Sequence, residues 1–209
     1  DRANIYTDMF SALVKGWREQ WGQKDTIPFY YCQIAPYDYS LVTANGKDVI
    51  NSAYLREAQM KAESVIPKSG MAVLLDAGMK TGIHPSKKQI PGERLALLAL
   101  TKTYGLKGVR SESPVYKSIE IHNDTVQVSF DRSDMWITAQ GGESKLVSVA
   151  GEDKVFYPAK AWIVRSKLYV KSEQVKKPVA VRYGFENYVE GDLFGTEGLP
   201  VSSFRSDNW

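Results

Sequence analysis

Two short apolar runs in the first 110 residues lack the alternation of a half-exposed strand. They are residues 29–35, between Pro28 and Pro36, and residues 71–76. Runs of this kind are typical of strands that are buried on both faces of a parallel sheet. Segments with helical spacing of apolar residues surround them at about 4–21, 51–65 and 91–104, and a polar loop with an Asn45-Gly46 turn follows the first run. The order helix–strand–helix–strand–helix predicts an α/β unit with a parallel sheet of the doubly wound kind.

This α/β unit is incomplete by itself. Open sheets in compact domains usually contain about five strands. Two strands with three helices around them leave strand edges and apolar faces uncovered. We therefore expect the remaining strands to come from elsewhere.

The second half of the chain has the period of antiparallel strands. Apolar and polar residues alternate at 125–130, 161–164 and 167–170, and a further strand pattern lies at 178–184. Turn-forming residues separate these segments, which predicts a small antiparallel sandwich or barrel. We therefore predict two domains, an α/β domain at 1–110 and an antiparallel β-sandwich-like domain at 111–209.

Composition excludes several classes of protein. With 43% hydrophobic and 11% aromatic residues, the chain is too apolar for a disordered protein. Its net charge of +3 gives no indication of a nucleic-acid partner. No apolar run approaches the roughly 20 residues that span a bilayer, so no membrane insertion is expected. The single Cys32 excludes an internal disulfide and a cysteine-rich zinc site.

The loop from Asp76 to Lys88 is the candidate for chemistry. It follows the carboxyl end of a predicted buried strand, where open α/β sheets build their sites. It contains His84, one of two histidines in the chain. A histidine placed there can act as a general base toward a serine hydroxyl, with a carboxylate to hold its tautomer. A solvated or structural histidine fits the same position.

Many stretches, in the same order along nearly the whole chain, resemble the sialate O-acetylesterase family of SGNH-type serine hydrolases. In the first half they are Tyr6, Trp17-Arg18, Trp21-Gly22-Gln23, Pro28 to Pro36, Leu55-Arg56-Glu57-Ala58-Gln59, Gly70-Met71-Ala72-Val73, Ile83 to Gln89 and Gly92-Glu93-Arg94-Leu95-Ala96. In the second half they are Phe156-Tyr157-Pro158-Ala159, Pro178 to Tyr183, Glu197-Gly198-Leu199-Pro200 and Ser203 to Asp207.

The resemblance implies an SGNH-like fold and an esterase that removes O-acetyl groups from sialic acid or a related sugar. Family members use a serine–histidine acyl-enzyme mechanism without a metal or organic cofactor. His84 matches the catalytic histidine and Asp76 matches an acidic position. Relatives often carry aspartate where this chain has Gly82, so the triad acid is Asp76, another carboxylate, or absent. The family's serine-bearing Gly-Gln-Ser-Asn and Gly-Glu-Ser-Asn blocks do not occur in this sequence.

The chain therefore resembles the carboxyl-terminal part of such an enzyme. We expect it to pair with an amino-terminal segment or a second chain that carries the serine, and to be inactive alone. The resemblance to this family implies an extracellular, periplasmic or lysosomal location. Two alternatives remain: a catalytically inactive carbohydrate-binding or structural fragment, and an acetylxylan-type esterase.

Two residues of the second predicted helix are candidates for binding the substrate. Arg56 and Gln59 lie about one turn apart and would present their polar groups in the same direction. They either point toward the sugar cleft or form a surface pair or a pair that packs the helix in place.

Overall fold

The computed structural model describes residues 2–23, 27–41 and 51–209. The Asn45-Gly46 turn and the rest of its loop lie outside them. Helix α1 spans Ala3–Gln20, strand β1 Phe29–Cys32, helix α2 Ala53–Val65, strand β2 Ser69–Ala72 and helix α3 Gln89–Leu98. A 3-10 turn occupies Tyr39–Leu41, and a π-helical turn at Ala99–Thr103 follows α3. Strands β1 and β2 pair in parallel, with Phe29 opposite Ser69 and Cys32 opposite Ala72. The predicted order of elements is therefore confirmed.

The predicted bounds of the two strands were wrong. The first run was predicted to be extended to residue 35, but β1 ends at Cys32, and the second was predicted at 71–76, but β2 covers Ser69–Ala72. Residues 73–75 are buried although they lie outside the strand. Val73 and Leu75 belong to the core cluster shared with the second half, and Leu75 packs against Gly184 and Gly191. The apolar run thus continues beyond the strand because another part of the chain covers it.

The helices cover both faces of the two-stranded sheet. On one face, α1 contacts β1 through Phe10, whose ring lies edge-on to Tyr31 at 4.9 Å between centroids. Thr7 of the same helix donates a hydrogen bond to the carbonyl of Ala58 in α2. On the other face, Leu98 of α3 lies against Gly70 of β2. Aromatic and aliphatic contacts therefore hold the parallel pair between two helical layers.

Two of the predicted helix ends are explained by local contacts. The side-chain oxygen of Asn51 accepts the backbone N–H of Ala53 at 2.9 Å, which satisfies a free donor at the start of α2. Helix α3 begins at Gln89, two residues earlier than predicted, so Pro91 occupies its first turn, where no intrahelical N–H bond is needed.

The second half is built from ten strands in antiparallel sheets. Their bounds are β3 Val115–His122, β4 Thr125–Asp131, β5 Ile137–Ala139, β6 Val147–Ala150, β7 Phe156–Pro158, β8 Lys160–Val164, β9 Lys167–Lys171, β10 Ala180–Tyr183, β11 Leu193–Gly195 and β12 Phe204–Arg205. One sheet has the order β3-β4-β9-β8, another has the order β12-β10-β6-β7, and β5 pairs with β11. All pairings in this half are antiparallel, as predicted.

One hydrophobic core contains residues from both halves. Tyr31, Met71 and Leu75 of the first half belong to the same buried cluster as Val181 and Tyr183 of the second. The predicted division at residue 110 therefore separates two kinds of secondary structure. Whether it is also a boundary between two domains stays a prediction. Within residues 2–23, 27–41 and 51–209, no helix combines the length and the apolar character needed to cross a bilayer.

Candidate active site

A cavity of about 340 Å³ lies where both parallel strands end. Ile34 and Ala35, which follow β1, line one side, and Leu74 and Ala77, which follow β2, line another. The carboxyl ends of parallel strands meet at one edge of a sheet, and loops leaving that edge converge. The cavity therefore occupies the place where an α/β sheet builds a site.

His84 opens onto this cavity from the loop between β2 and α3. Its side chain is exposed, and Pro85 and Lys88 line the cavity beside it. Pro85 biases the backbone of His84 away from the helical region. Among the described residues, none forms a hydrogen bond with either ring nitrogen. The imidazole is therefore exposed at the mouth of the cavity.

Asp76 lies in a different set of contacts. Its two carboxylate oxygens accept hydrogen bonds from the two terminal nitrogens of Arg94, at 2.7 and 2.6 Å. Arg94 also donates to the carbonyl of Val73 at 2.7 Å. The predicted pairing of Asp76 with His84 is absent from the described contacts, and the described hydrogen bonds of the Asp76 carboxylate go to Arg94.

Arg94 was missed at the sequence level. Its signal was a basic residue placed between apolar ones on the buried side of a helix that follows the site loop. A buried arginine needs a charged or polar partner. Only the fold shows that this partner is Asp76, eighteen residues earlier in the chain.

Arg56 is buried completely and points into the protein. Its guanidinium donates to the hydroxyls of Ser52 and Ser203 at 3.1 and 3.0 Å, and to the carbonyls of Gly184 and Glu186. Burial lowers the pKa of Arg56 to about 10, so it stays charged at neutral pH. These contacts agree with the packing alternative, while substrate binding by Arg56 stays a prediction.

Gln59 supports the cavity from behind. Its side-chain oxygen accepts the backbone N–H of Ile34 at 2.8 Å, and its backbone carbonyl accepts the hydroxyl of Tyr31. Gln59 is itself buried. It therefore fixes the segment after β1 that forms one wall of the cavity, and a direct contact with substrate stays a prediction.

Cys32 ends β1 and lies close to the same region. Burial raises the pKa of its thiol, with a smaller opposite effect from Arg94. The thiol is therefore neutral at physiological pH and a poor nucleophile. In the described part of the chain, no three His, Cys, Asp or Glu side chains are grouped closely enough to hold a metal ion.

Comparison with known proteins gives a consistent result. No protein-family model matches the chain. It is 28% identical over 141 residues to the sialate O-acetylesterase of Rattus norvegicus and 27% identical over 147 residues to that of Mus musculus. Each match covers 62% of this chain and 26% of the relative, so the matched region is about a quarter of those proteins.

A solved structure matches almost the whole chain. The crystal structure of a carbohydrate acetylesterase from Xanthomonas citri is 35% identical, with a TM-score of 0.86. The match covers 98% of this chain and 46% of that one. The resemblance to sialate O-acetylesterases is thus confirmed, and the relatives are carbohydrate acetylesterases.

Proposed function

We propose that this chain is part of a carbohydrate esterase that removes O-acetyl groups from sialic acid or a related sugar. The observation that carries the proposal is the position of His84, which opens onto a cavity at the carboxyl ends of β1 and β2. The similarity to the Xanthomonas citri carbohydrate acetylesterase supports the reaction class. The family resemblance also leads us to propose an extracellular, periplasmic or lysosomal location.

The proposed reaction has two steps, both served by His84. The ring nitrogen takes the proton of a serine hydroxyl while the serine oxygen bonds to the acetyl carbon. The tetrahedral intermediate then breaks its bond to the sugar oxygen, which takes the proton back from the imidazolium and leaves as an alcohol. In the second step His84 deprotonates a water molecule while the water oxygen bonds to the acetyl carbon. The second tetrahedral intermediate then breaks its bond to the serine oxygen, which takes the proton from the imidazolium, and acetate leaves. This chemistry needs no metal or organic cofactor.

The serine is proposed to lie in a segment outside these 209 residues. The family's two serine-bearing blocks do not occur in the chain. Among the described residues, no serine hydroxyl bonds to the His84 ring. Ser202 and Ser203, the buried pair near α2, are instead engaged with Gln33 and Arg56.

Asp76 is proposed to act as a positioning residue. The bidentate contact between the Asp76 carboxylate and the Arg94 guanidinium holds the start of the loop that carries His84. To serve as the triad acid, Asp76 would have to accept a hydrogen bond from the His84 ring as well, and the described contacts show no such bond. The role of Asp76 is therefore to place the histidine, and the acid that orients the ring lies elsewhere or is absent.

The cavity favours an acidic sugar. Lys87 and Lys88 line it together with His84. Positive side chains at the rim attract a carboxylate such as that of a sialic acid. A neutral acetylated xylan carries no charge for the two lysines to attract. In an active chimera of this chain with the unmatched part of the Xanthomonas citri acetylesterase, Lys87→Glu with Lys88→Glu should therefore raise KM for an O-acetylated sialic acid and leave KM for acetylated xylan unchanged.

A chimera tests the proposed function. This chain replaces the matched 46% of the Xanthomonas citri acetylesterase, and hydrolysis of an aryl acetate is measured. We expect saturable activity that falls at least about 100-fold in kcat with His84→Ala, the usual cost of losing a general base. His122→Ala is the matched control, because His122 is the other histidine and is exposed on β3. A folded chimera that is inactive, or that is unaffected by His84→Ala, would contradict the proposal.

A second candidate is a catalytically inactive chain that binds carbohydrate or a partner. The observation in its favour is that the His84 ring has no carboxylate partner among the described residues. It predicts an inactive chimera that nevertheless binds an O-acetylated sugar, measured by calorimetry.

A further inference from the structure

A second cavity, larger than the one at His84, lies between the two halves of the chain. Its volume is about 590 Å³, which is within the range of small-molecule sites. We call it the α1–α2 groove, and its residues belong to the first turns of α1, to α2, and to β12 and the segment after it: Ala3, Asn4, Thr7, Tyr54, Glu57, Ala58, Lys61, Arg205, Asn208 and Trp209. A smaller cavity of about 150 Å³ continues the groove and shares Glu57, Lys61 and Arg205 with it.

The groove and the His84 cavity lie on opposite sides of α2. Glu57 and Lys61 line the groove, whereas Gln59 holds Ile34 in the wall of the His84 cavity. Because an α-helix has 3.6 residues per turn, Gln59 points away from the side of α2 that carries Glu57 and Lys61. No described residue lines both cavities. A ligand in the groove is therefore separated from the His84 ring by a helix.

The Arg205 guanidinium forms an ordered polar wall of the groove. Its Nε donates to Oε1 of Glu57 at 3.2 Å, and its Nη2 donates to Oε2 of the same carboxylate at 3.1 Å. The centre of the guanidinium lies 4.9 Å from the centre of the Tyr54 ring, which is a cation–π contact. These contacts fix the three side chains before any ligand arrives, so binding requires little further ordering.

Trp209 presents an accessible aromatic ring at the groove. Its backbone carbonyl accepts hydrogen bonds from Arg182 and Arg205 at 3.1 and 3.2 Å, which fixes its backbone. The Lys154 ammonium lies 5.1 Å from the centre of the ring, yet the residue is still 37% exposed. The ring therefore offers an apolar face on which the C–H groups of a sugar can pack.

The groove carries an excess of positive charge. The Glu57 carboxylate is already paired with Arg205, and the Lys61 ammonium adds a second cation 3.3 Å from the same carboxylate. The Lys61 side chain is 62% exposed, so its ammonium can also reach a ligand. A site of this kind attracts a carboxylate. The exposed side-chain amides of Asn4 and Asn208 supply donors and acceptors for hydroxyl groups.

We propose that the α1–α2 groove binds an acidic sugar unit of a glycan without reacting with it. The sugar ring packs on Trp209, its carboxylate pairs with Lys61, and its hydroxyl groups bond to the two asparagine amides. This site goes beyond the proposed function, because it requires neither His84 nor an acetyl group. Two sites for one glycan on the same chain raise the effective concentration of the glycan's acetyl groups at the His84 cavity.

The indole N–H signal of Trp209 in an NMR spectrum reports binding in the groove directly. The signal is assigned in the isotope-labelled 209-residue chain by comparison with Trp209→Phe, and N-acetylneuraminic acid, which carries no O-acetyl group, is titrated in. We expect the signal to shift and to saturate in the millimolar range. The uncharged methyl ester of the sugar should bind about fivefold more weakly, the effect of losing one charge pair at about 4 Å in water. No shift in the folded chain, or equal affinity for the ester, would overturn the proposal.

Two pairs of variants test the contacts by calorimetry. Trp209→Ala keeps the anchored carbonyl but removes the ring and should weaken binding about 10-fold, whereas Trp136→Ala, at a position that is 59% exposed and outside the groove, should not change it. Lys61→Gln should weaken binding about fivefold. Its matched control is Lys15→Gln, because Lys15 forms the same kind of ion pair across one helical turn, with Glu19. Equal effects within either pair would overturn the assignment.

The chimera separates this proposal from the proposed function. In the chimera the Trp209 signal should respond to the sugar as it does in the 209-residue chain, and Lys87→Glu with Lys88→Glu should leave this response unchanged. Loss of the response in a folded chimera would show that the rest of the protein covers the groove and would overturn the proposal. An active chimera without the response would leave the esterase function intact, whereas the response without activity would remove the function and leave the groove as a sugar site.

Discussion

Arg56 connects the two halves of the chain through neutral oxygens. Its side chain starts on α2 and reaches Gly184, Glu186 and Ser203 in the second half. Burying a cation is costly, and the lowered pKa of Arg56 reports this cost. The arginine side chain offsets this cost because its planar guanidinium can donate several hydrogen bonds at fixed angles. The residue therefore specifies how α2 sits against the second half.

Replacement of Arg56 should reduce the stability of the fold. Arg56→Lys keeps the positive charge but removes the planar guanidinium, so buried oxygens of Gly184, Glu186 and Ser203 lose their hydrogen-bond donor. We expect the free energy of unfolding to fall by about 2–4 kcal/mol in urea titrations. Arg165→Lys, at an exposed position, should change it by less than about 0.5 kcal/mol. An equal effect of both variants would show that the buried contacts are unimportant.

Asp76→Asn separates a positioning role from a catalytic one. An amide cannot accept the bidentate contact from Arg94 in the same way, so we expect a loss of about 1–3 kcal/mol in stability. In the active chimera kcat should fall less than about 10-fold, whereas loss of a triad acid costs about 10⁴-fold. A large loss of kcat with unchanged stability would return Asp76 to the triad. Both quantities are measured on the same preparation.

At the scale of elements, the segments that follow β1 and β2 are fastened to each other. The N–H of Met79 donates to the carbonyl of Pro36, and the N–H of Asp38 donates to the carbonyl of Lys80, both at 3.2 Å. Gly78 lies directly on Pro36, because a side-chain carbon there would overlap the Pro36 carbonyl oxygen. The walls of the cavity are thus held together by a close backbone approach that only glycine permits.

Gly78→Ala should displace the loop that carries His84. The added carbon would lie 2.8 Å from the nitrogen and Cδ of Pro36, so the backbone must move. We expect a loss of about 1–3 kcal/mol in stability and a fall in chimera activity. Gly82→Ala is the control in the same loop, because the nearest atom to its added carbon is the Met79 methyl carbon at 3.4 Å. If both variants keep full activity, the contact between the two segments does not position His84.

At the scale of the whole molecule, the two kinds of secondary structure share their stabilising contacts. The buried cluster joins Leu75 and Tyr183 across the predicted boundary. Two ion pairs also bridge the halves, Arg205 with Glu57 at 3.1 Å and Arg132 with Glu63 at 3.0 Å. Neither half can unfold without exposing apolar surface of the other, which couples their stability.

We therefore expect one cooperative unfolding transition. Far-UV circular dichroism and tryptophan fluorescence should melt together, and the calorimetric and van't Hoff enthalpies should agree. Val181→Ala, within the shared core, should shift both signals equally. Two separate transitions, or a shift in one signal alone, would show that the boundary near residue 110 divides independent units.

Local signals in the sequence were sufficient for the helices, the order of elements and the position of His84. Helical periodicity depends on neighbours within a turn, and the ends of parallel strands lie at one edge whatever else surrounds them. The resemblance likewise drew attention to His84 and to the acidic position Asp76, and it left open whether Arg56 and Gln59 bind substrate or pack the helix.

Contacts between distant segments settled the rest. The run at 71–76 is apolar because Gly184 and Gly191 cover Leu75, so burial there did not mark a strand. Asp76 binds Arg94, and Arg56 binds groups more than 120 residues away. No pattern along the chain encodes such pairings, because a buried charge selects its partner by three-dimensional proximity and by the low dielectric around it.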